Sequence, residues 1–518
     1  MSLIRDWSVH MMIIPVGSVG RVRVRLIAHV PFAGVLAAAI WIRVVAVLGY
    51  PAPLWFGDSK SYLEAAIELR PGETRPSGYP FLLWLIEPFH SFTVLVSVQH
   101  ALGVLTGVLV YVLVVRAGRA AWPLDEPGRW AWRVWLPALL AAALTVPVLI
   151  PVHQISLEHM LMSDSLFTFL LLAAVTAALW RRRSTWWLGA LAGAFAAFAA
   201  LTRTAGLPLI AVIVVAMLLR RAGWRACVSA VVMFALPIVG YMFWFQSEYG
   251  QFKLAKANSI WLYGRTAAFA DCAVIKPRPE LRIMCPHLTD PRISPAFAVM
   301  WTKDSPFREI PGWVTGEEAD RLAGEFAWAA IGKQPGDYAD VVVHDTFMAF
   351  AWDREPYPNP WTSLQYDFPE GEAWDDDQAL LAEKYDPGGG EAKVVRPWAD
   401  QVLAYQDHLA MPGTFLGVLL LGGLAGAFPH VRSRGRWRPL GPVRHWGTGA
   451  LLPWGTSLAL LVIPAATADF DYRYVVPAVP FACLALGLAL LPPPRRPRPA
   501  AGPASAEERE KAGAGRGG

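Results

Sequence analysis

Asp58 stands in the stretch WFGDSKSYLEAAIELRPGETRPSGYPFLLWLI, residues 55–86. A carboxylate in this setting has two readings. Gly57-Asp58 precedes a helix-compatible run, so Asp58 is a preferred N-cap. It is equally a group that can take a proton from an attacking hydroxyl. Tyr62 falls on the same helical face, four residues on. Arg75-Pro-Ser-Gly-Tyr-Pro80 then makes a rigid turn, with Pro76 and Pro80 fixing φ and Gly78 loosening the chain between them. Tyr62, Arg75 and Tyr79 are the residues expected to shape a site around Asp58.

Other chemistry-bearing residues follow. HQISLEHMLMSD, residues 153–164, gathers His153, Glu158, His159 and Asp164. These types hold divalent cations or supply a second acid. Glu158 and His159 are adjacent and diverge on a helix, and no His-Glu-x-x-His spacing occurs. Whether a metal binds stays open, with Mg or Mn the candidates. Arg203 and Arg473 lie at the ends of apolar runs, where a guanidinium either grips phosphate or snorkels to the interface. Arg473 can also pair with Asp469 or Asp471. Arg43 lies inside an apolar run, where a charge is costly and faces a cavity or a partner. It either touches a lipid phosphate or forms an internal ion pair. His100, beside Gln99, reads as a hydrogen-bonding group between helices.

These residues need a scaffold, and the composition says which. The chain has 518 residues, 55% of them hydrophobic and only 17% charged. Soluble domains carry about 25% charged residues, so the long apolar runs indicate an all-α polytopic membrane protein. About ten spans are expected, near 31–50, 91–115, 136–153, 162–180, 186–203, 206–220, 226–246, 412–430, 447–466 and 475–491. The first, after Arg21, Arg23 and Arg25, is too long for a cleavable signal and reads as a retained anchor. The other basic clusters are Arg116 and Arg119; Arg181, Arg182 and Arg183; Arg220, Arg221 and Arg225; Arg432, Arg434, Arg436, Arg438 and Arg444; and Arg495, Arg496 and Arg498. With ten spans all fall on one side, which makes both termini cytoplasmic.

The loop 51–90, the loop 153–164 and residues 248–408 then face outward. Residues 248–408 carry 26 Asp and Glu against 15 Lys and Arg. That length and acidity suggest an inserted extracytoplasmic domain, α-rich or mixed, between a transmembrane module (1–247) and C-terminal spans (409–491). The tail 492–518 is rich in Pro, Ala, Gly and Arg and is expected to be disordered. Cys272 and Cys285, on the oxidising side, are expected to form a disulfide. Cys227 and Cys483 lie in apolar runs and read as packing residues.

The motifs resemble those of GT-C glycosyltransferases, polytopic enzymes that take a sugar from a polyprenyl-phosphate carrier. Protein mannosyltransferases and the lipid A aminoarabinose transferase are among them. GDSKSYLEAA and RPSGYPFLLWLI look like the family's first outer loop, with Ser77 where a second Pro is common. MSDSLFTFLLLAA (162–174) resembles a later element, with Asp164 for the commoner Glu. LTRTAGLPL (201–209) resembles another, with Thr204 for Pro. DFDYRYVVPAVP (469–480) resembles a fourth, and AAIGKQPGDYADVVVHDTFMAF (329–350) matches loosely. The resemblance implies a GT-C helix bundle with Asp58 as catalytic base. It implies a polyprenyl-phosphate-linked sugar donor, whose phosphate is a good leaving group, bound by Arg203, Arg473 or Arg43. The acceptor would be a cell-envelope glycan, glycolipid or protein. Some relatives use a divalent cation.

The chain shows no Gly-rich phosphate loop, no Gly-x-Ser-x-Gly elbow and no basic–aromatic stripe, so nucleic acid is not an expected partner. A transporter or flippase of envelope precursors is the rival reading. Transporters often show repeated halves, and this chain is asymmetric. A catalytically inactive assembly protein is a third.

Overall fold

The computed structural model describes residues 26–121, 130–181, 184–371, 376–388, 393–427, 430–433, 436–439 and 449–491. Arg21, Arg23, Arg25, Arg182, Arg183, Arg434, Arg444 and the tail from Pro492, with Arg495, Arg496 and Arg498, lie outside the described residues. Among the described residues the helices include α1 (Val30–Gly49), α2 (Ser59–Ile67), α3 (Gly78–Ile86), α4 (Phe92–Ala121), α5 (Trp130–Leu149), α6 (Val152–His159), α7 (Asp164–Leu179), α8 (Trp186–Thr202), α9 (Leu209–Leu219) and α10 (Trp224–Tyr249). The chain continues through α11 (Ser259–Thr266), α12 (Cys272–Ile275), α13 (Pro295–Trp301), α14 (Glu317–Lys333), α15 (Pro335–Met348), α16 (Pro360–Leu364), α17 (Asp376–Tyr385) and α18 (Trp398–Gln406). It ends with α19 (Gly413–Ala427), α20 (Leu451–Thr467), α21 (Tyr472–Val475) and α22 (Val479–Leu490). A short antiparallel ribbon, β1 (His430–Ser433) with β2 (Arg436–Pro439), interrupts this helical order.

Among the described residues, α1, α4, most of α5, α10 and the run Tyr472–Leu490 are long and apolar enough to cross a bilayer. Five shorter apolar helices, of 10–17 residues, include α7, α8 and α20. Long and short together fall within a few residues of the expected segments. The short ones end at polar breaks. The backbone leaves α8 extended at Arg203, with φ −147° and ψ 128°. α7 starts only at Asp164. Such breaks set charged side chains on helix ends, where they can meet across the bundle.

The bundle core runs through Val114, Leu144, Leu171, Phe481 and Leu484. α8 is rich in Ala and Gly, which lets α7 and α10 close on it from both sides. Arg116 donates to the Trp180 carbonyl at 3.0 Å and Arg220 to the Arg181 carbonyl at 3.3 Å. Basic loop residues therefore meet at one end of the bundle. α3 is the short apolar helix expected from FLLWLI, with Trp84 and Leu85 exposed, as suits an interfacial helix.

The described secondary structure of residues 248–408 consists of short helices joined by loops, and the region divides into two parts. Residues 257–330 enclose their own core around Tyr263, Phe307 and Phe326. The rest drapes over the bundle: α15 along α20, α17 onto α2 through Leu381 and Tyr385, and α18 onto α1 through Ala399 and Val402.

Cys272 and Cys285 form a disulfide across a separation of 13 residues, with Cα atoms 6.1 Å apart. Closing a loop of this size stabilises by roughly 3 kcal/mol in the chain-entropy model. Cys272→Ser should lower the unfolding free energy of this part of the chain by about that amount. Thiol alkylation of unreduced, denatured protein should label Cys227 and Cys483 only.

Candidate functional site

The loop that carries Asp58 is tied to the chain after α6. Leu54 N–H donates to the His159 carbonyl at 3.1 Å, and Leu161 N–H donates to the Leu54 carbonyl at 2.9 Å. Ser59 Oγ donates to the Leu161 carbonyl at 2.9 Å and accepts the Phe56 N–H at 2.8 Å. Asp58 is thereby held at the start of α2, yet its side chain makes no capping bond. Its Oδ2 instead lies 3.1 Å from Arg75 Nη2 and 3.3 Å from Arg473 Nη1. Capping is not what this carboxylate does.

The Arg-Pro-Ser-Gly-Tyr-Pro turn explains how Arg75 arrives. A Cβ at Gly78 would meet Leu201 C and Thr202 N at 2.6 Å, so only glycine lets the turn lie on the end of α8. Tyr79 is buried there and donates to Gln99 Oε1 at 2.6 Å. Its ring stands edge-on to Tyr62 at 5.2 Å, and the Tyr62 hydroxyl lies 3.2 Å from Ser163 Oγ. These two tyrosines form a packed floor beneath Asp58.

Arg473 comes from the other end of the chain. Asp471 caps α21 by accepting the Arg473 N–H at 3.0 Å, and its Oδ2 is 2.9 Å from Arg473 Nε. The Tyr366 hydroxyl also donates to Asp471. The Arg473 guanidinium lies 4.7 Å from the Phe56 ring and 5.2 Å from that of Tyr474. Arg203 pairs with Asp164 and lies 4.7 Å from the ring of Tyr474, which it shares with Arg473. Arg75 stacks on Trp261 of α11 at 4.6 Å, which brings the 257–330 core over the site.

Burial alone would raise the Asp58 pKa. The charges of Arg75 and Arg473, and their hydrogen bonds, outweigh it and hold the carboxyl below its usual value. The Asp58 side chain keeps 20% of its surface exposed, against 0% for Asp164. Of the two acids, Asp58 is the one an external molecule can reach.

Arg43, Glu158 and His159 belong to a different network. Arg43 Nε and Nη2 donate to Glu158 Oε2 and Oε1 at 2.7 and 2.8 Å. Arg43 Nη1 donates to the Ala39 and Leu149 carbonyls at 3.0 and 2.9 Å. The guanidinium is thus spent on an internal ion pair, and the expectation that it holds a donor phosphate does not fit this geometry. Gln154 Nε2 donates to Glu158 Oε1 at 2.9 Å, and His100 Nδ1 lies 2.9 Å from Oε2. His100 Nε2 is 3.1 Å from His159 Nδ1, and His159 Nε2 is 2.9 Å from the Tyr50 carbonyl. A Cβ at Gly103 would overlap the Glu158 carboxylate.

His153 lies apart, beside Arg354 and Tyr472, while Asp164 faces Arg203. Among the described residues no group of three or more His, Cys, Asp or Glu side chains is arranged to hold a metal ion. His153, Glu158, His159 and Asp164, for which the sequence left a Mg or Mn role open, do not converge on one point: the acids pair with arginines and the ring nitrogens of His159 make hydrogen bonds. Removing one partner of a buried ion pair costs about 3–5 kcal/mol. Glu158→Gln should therefore destabilise the protein by roughly that amount in detergent melts, with no restoration by added Mg or Mn.

A third cluster joins the 257–330 core to the bundle. Arg265 pairs with Asp345 of α15 and lies 3.8 Å from Asp469 Oδ1. Asp469 also accepts from the Tyr357 hydroxyl and, at 2.8 Å, from Ser294 Oγ. Burial pushes the Asp469 pKa up to about 6 despite Arg265. A carboxyl raised on folding favours the folded state fully below its unfolded pKa of about 3.9 and loses that contribution as pH rises through the folded value. Wild-type Tm should therefore fall relative to Asp469→Asn between about pH 4 and 6, where the folded and unfolded values bracket the titration.

Phe56, Trp261, Arg354, Tyr366 and Tyr474 also line or flank the site. Sequence reading passed over them as ordinary aromatics and a loop charge. Only Tyr474, inside DFDYRY, carried a local signal. No family model matches the chain, and no curated protein or solved structure matches it either. Fold and site together define a helical protein whose apolar helices suit a membrane bundle, with an arginine-rich carboxylate site at one end.

Proposed function

We propose that the chain is a polytopic glycosyltransferase of GT-C type. It would transfer a monosaccharide from a polyprenyl-phosphate carrier to an extracytoplasmic cell-envelope acceptor. The reading carries ten spans in the inner membrane, cytoplasmic termini and an outward-facing site. The observation that supports it best is Asp58, a partly exposed carboxylate held between Arg75 and Arg473 with Arg203 close by.

In this reading the acceptor hydroxyl gives its proton to Asp58 as its oxygen bonds to the anomeric carbon. The carbon–oxygen bond to the carrier breaks, and the electron pair leaves with the phosphate. Arginines stabilise the charge that develops there. Asp58 is a weak base while two guanidiniums hold it. Its strength returns as an arginine turns towards the arriving phosphate. No step here needs a metal.

One observation favours a transporter. Intramembrane ionisable chains mark proton paths, and Arg43, Glu158, His100 and His159 form such a chain. Both Glu158 oxygens are already bonded, which fits a structural role better.

Purified protein should release free polyprenyl phosphate from a radiolabelled polyprenyl-phosphate sugar when envelope acceptor is present. Asp58→Asn should lower transfer by roughly 10²–10⁴-fold, the usual contribution of a positioned base. Asp164→Asn strips a carboxylate from a neighbouring arginine in the same way and reports the structural part of the loss. Equal turnover by the two variants would remove Asp58 from the role of base.

A further inference from the structure

The 257–330 core is closed on itself. The buried apolar residues around Tyr263, Phe307 and Phe326 all come from this one stretch of chain. Two chain crossings join this lobe to the bundle. One is residues 250–256, which start where α10 stops at Gly250 in the left-handed region, φ 71°. The other is Gln334, between the end of α14 and Pro335 of α15. Polar contacts hold the lobe down. Ser294 N–H donates to the Pro358 carbonyl at 2.7 Å, and Ser294 Oγ donates to Asp469 at 2.8 Å. Arg265 pairs with Asp345, and Trp261 takes Arg75 at 4.6 Å. Phe269 meets Tyr338 of α15 with ring centres 6.0 Å apart. Units that share no apolar core move relative to one another by default.

The charges in the seam do not balance. The buried Arg265 guanidinium faces two carboxylates, Asp345 of α15 and Asp469 in the loop between α20 and α21. The hydroxyls of Tyr357 and Ser294 donate to Asp469 and bring no charge. Two further titratable groups border the seam. The exposed His344 imidazole lies 3.1 Å from Asp345 Oδ1, and the Tyr338 hydroxyl donates to the Ala466 carbonyl at 2.9 Å. One guanidinium against two carboxylates leaves a net negative charge in a largely buried place. Like charges that share such a site favour keeping one proton. Asp469 is the group that keeps it. Burial raises its pKa to about 6 against the pull of Arg265 and the two hydroxyls, and Asp345 adds to the rise.

α11 ties this seam to the Asp58 site. Trp261 and Arg265 stand four residues apart on it, one turn along the same face. Arg265 cannot leave the seam without drawing Trp261 away from Arg75, the partner of Asp58. We propose that the 257–330 lobe is a hinged cover over the Asp58 site, latched shut by a proton held between Asp469 and Asp345 under Arg265. Closing takes that proton from water onto an Asp469 oxygen. Opening returns it, as Arg265 and Ser294 withdraw and water reaches both carboxylates. Asp469 has its higher pKa in the closed state. Closure therefore gains its full support below the solvated value of about 3.9 and loses it as pH rises through about 6. The cover is tight in acid and loosens towards neutrality. This motion stands apart from the transferase reading; where that reading holds, it sets when a bulky acceptor reaches Asp58.

Ser294→Cys places a thiol in the seam. Its alkylation in the full chain in nanodiscs, mapped by peptide mass and divided by its rate in the unfolded chain, reads the open fraction at each pH. Protection of this thiol should fall about tenfold between pH 5 and pH 7, while the buried Cys483 stays protected at both. Adding Asp469→Asn should abolish the pH dependence, because an amide does not titrate. Adding His344→Gln should leave it in place. The Ser294→Cys profile and the His344→Gln variant keep the test decisive should Asp469→Asn misfold. Constant protection across this range would overturn the latch. So would a dependence that survives Asp469→Asn or vanishes with His344→Gln. A thiol at position 294 that is never more reactive than Cys483 would overturn the hinge, since both would then report global unfolding. No transfer step enters these measurements, so their failure leaves the transferase reading standing, and loss of that reading leaves the latch standing.

Discussion

A charge taken out of water must be matched, and in this chain Arg473 is where most of the matching converges. Its guanidinium meets Asp58 and Asp471 and lies against Phe56 and Tyr474. Those partners come from the loop after α1 and from the entry to the last apolar helix. Asp58 in turn holds Arg75, and Arg75 holds Trp261. Segments more than 400 positions apart in sequence are thus joined at one guanidinium. Apolar packing can bring these segments together. Charge pairing decides which side chains face one another when they meet.

The second ionic network supports the first from below. Glu158 is fixed by Arg43, and its carbonyl accepts from Gln99 Nε2 at 2.9 Å. Gln99 accepts from Tyr79, which packs on Tyr62 beneath Asp58. His159 anchors to the Tyr50 carbonyl, and the chain just beyond it bonds to Leu54 on the Asp58 loop. The charges buried in the helix bundle are therefore the footing on which the Asp58 loop stands. This accounts for polar residues in α1 and α4 that hydropathy alone would count as defects.

Much of the fold was legible because bilayer-length apolar runs and polar breaks are local properties. The apolar helices, the short apolar helix α3 and the Cys272–Cys285 bridge could all be read this way. Asp58 was legible as a choice between a cap and a base, since both follow from its neighbours. Pairings were not. The cost of Arg43 in an apolar helix is visible from sequence, whereas its partner lies 115 residues away. The cluster of His153, Glu158, His159 and Asp164 looked like a metal set because it is compact in sequence. A helix turns adjacent residues apart: Glu158 meets Arg43, Asp164 meets Arg203, His153 lies beside Tyr472, and His159 reaches Glu158 only through His100.

A base held by two cations poses a chemical difficulty for the proposed reaction. Arg75 and Arg473 keep Asp58 ionised but lower its appetite for a proton. Shedding an arginine to bulk water would restore basicity at the cost of stranding a half-buried charge. A phosphate arriving beside Arg473 removes that cost, because the guanidinium exchanges one anion for another. Base strength is then gained only when the leaving group is in place. An acceptor alone meets a carboxylate too weak to deprotonate it, and water meets the same obstacle. On the proposed reading, the ion pairs that hold the resting site together also make donor arrival the condition for chemistry. The three-way competition among Asp58, Asp471 and phosphate for Arg473 is what couples the two halves of the reaction.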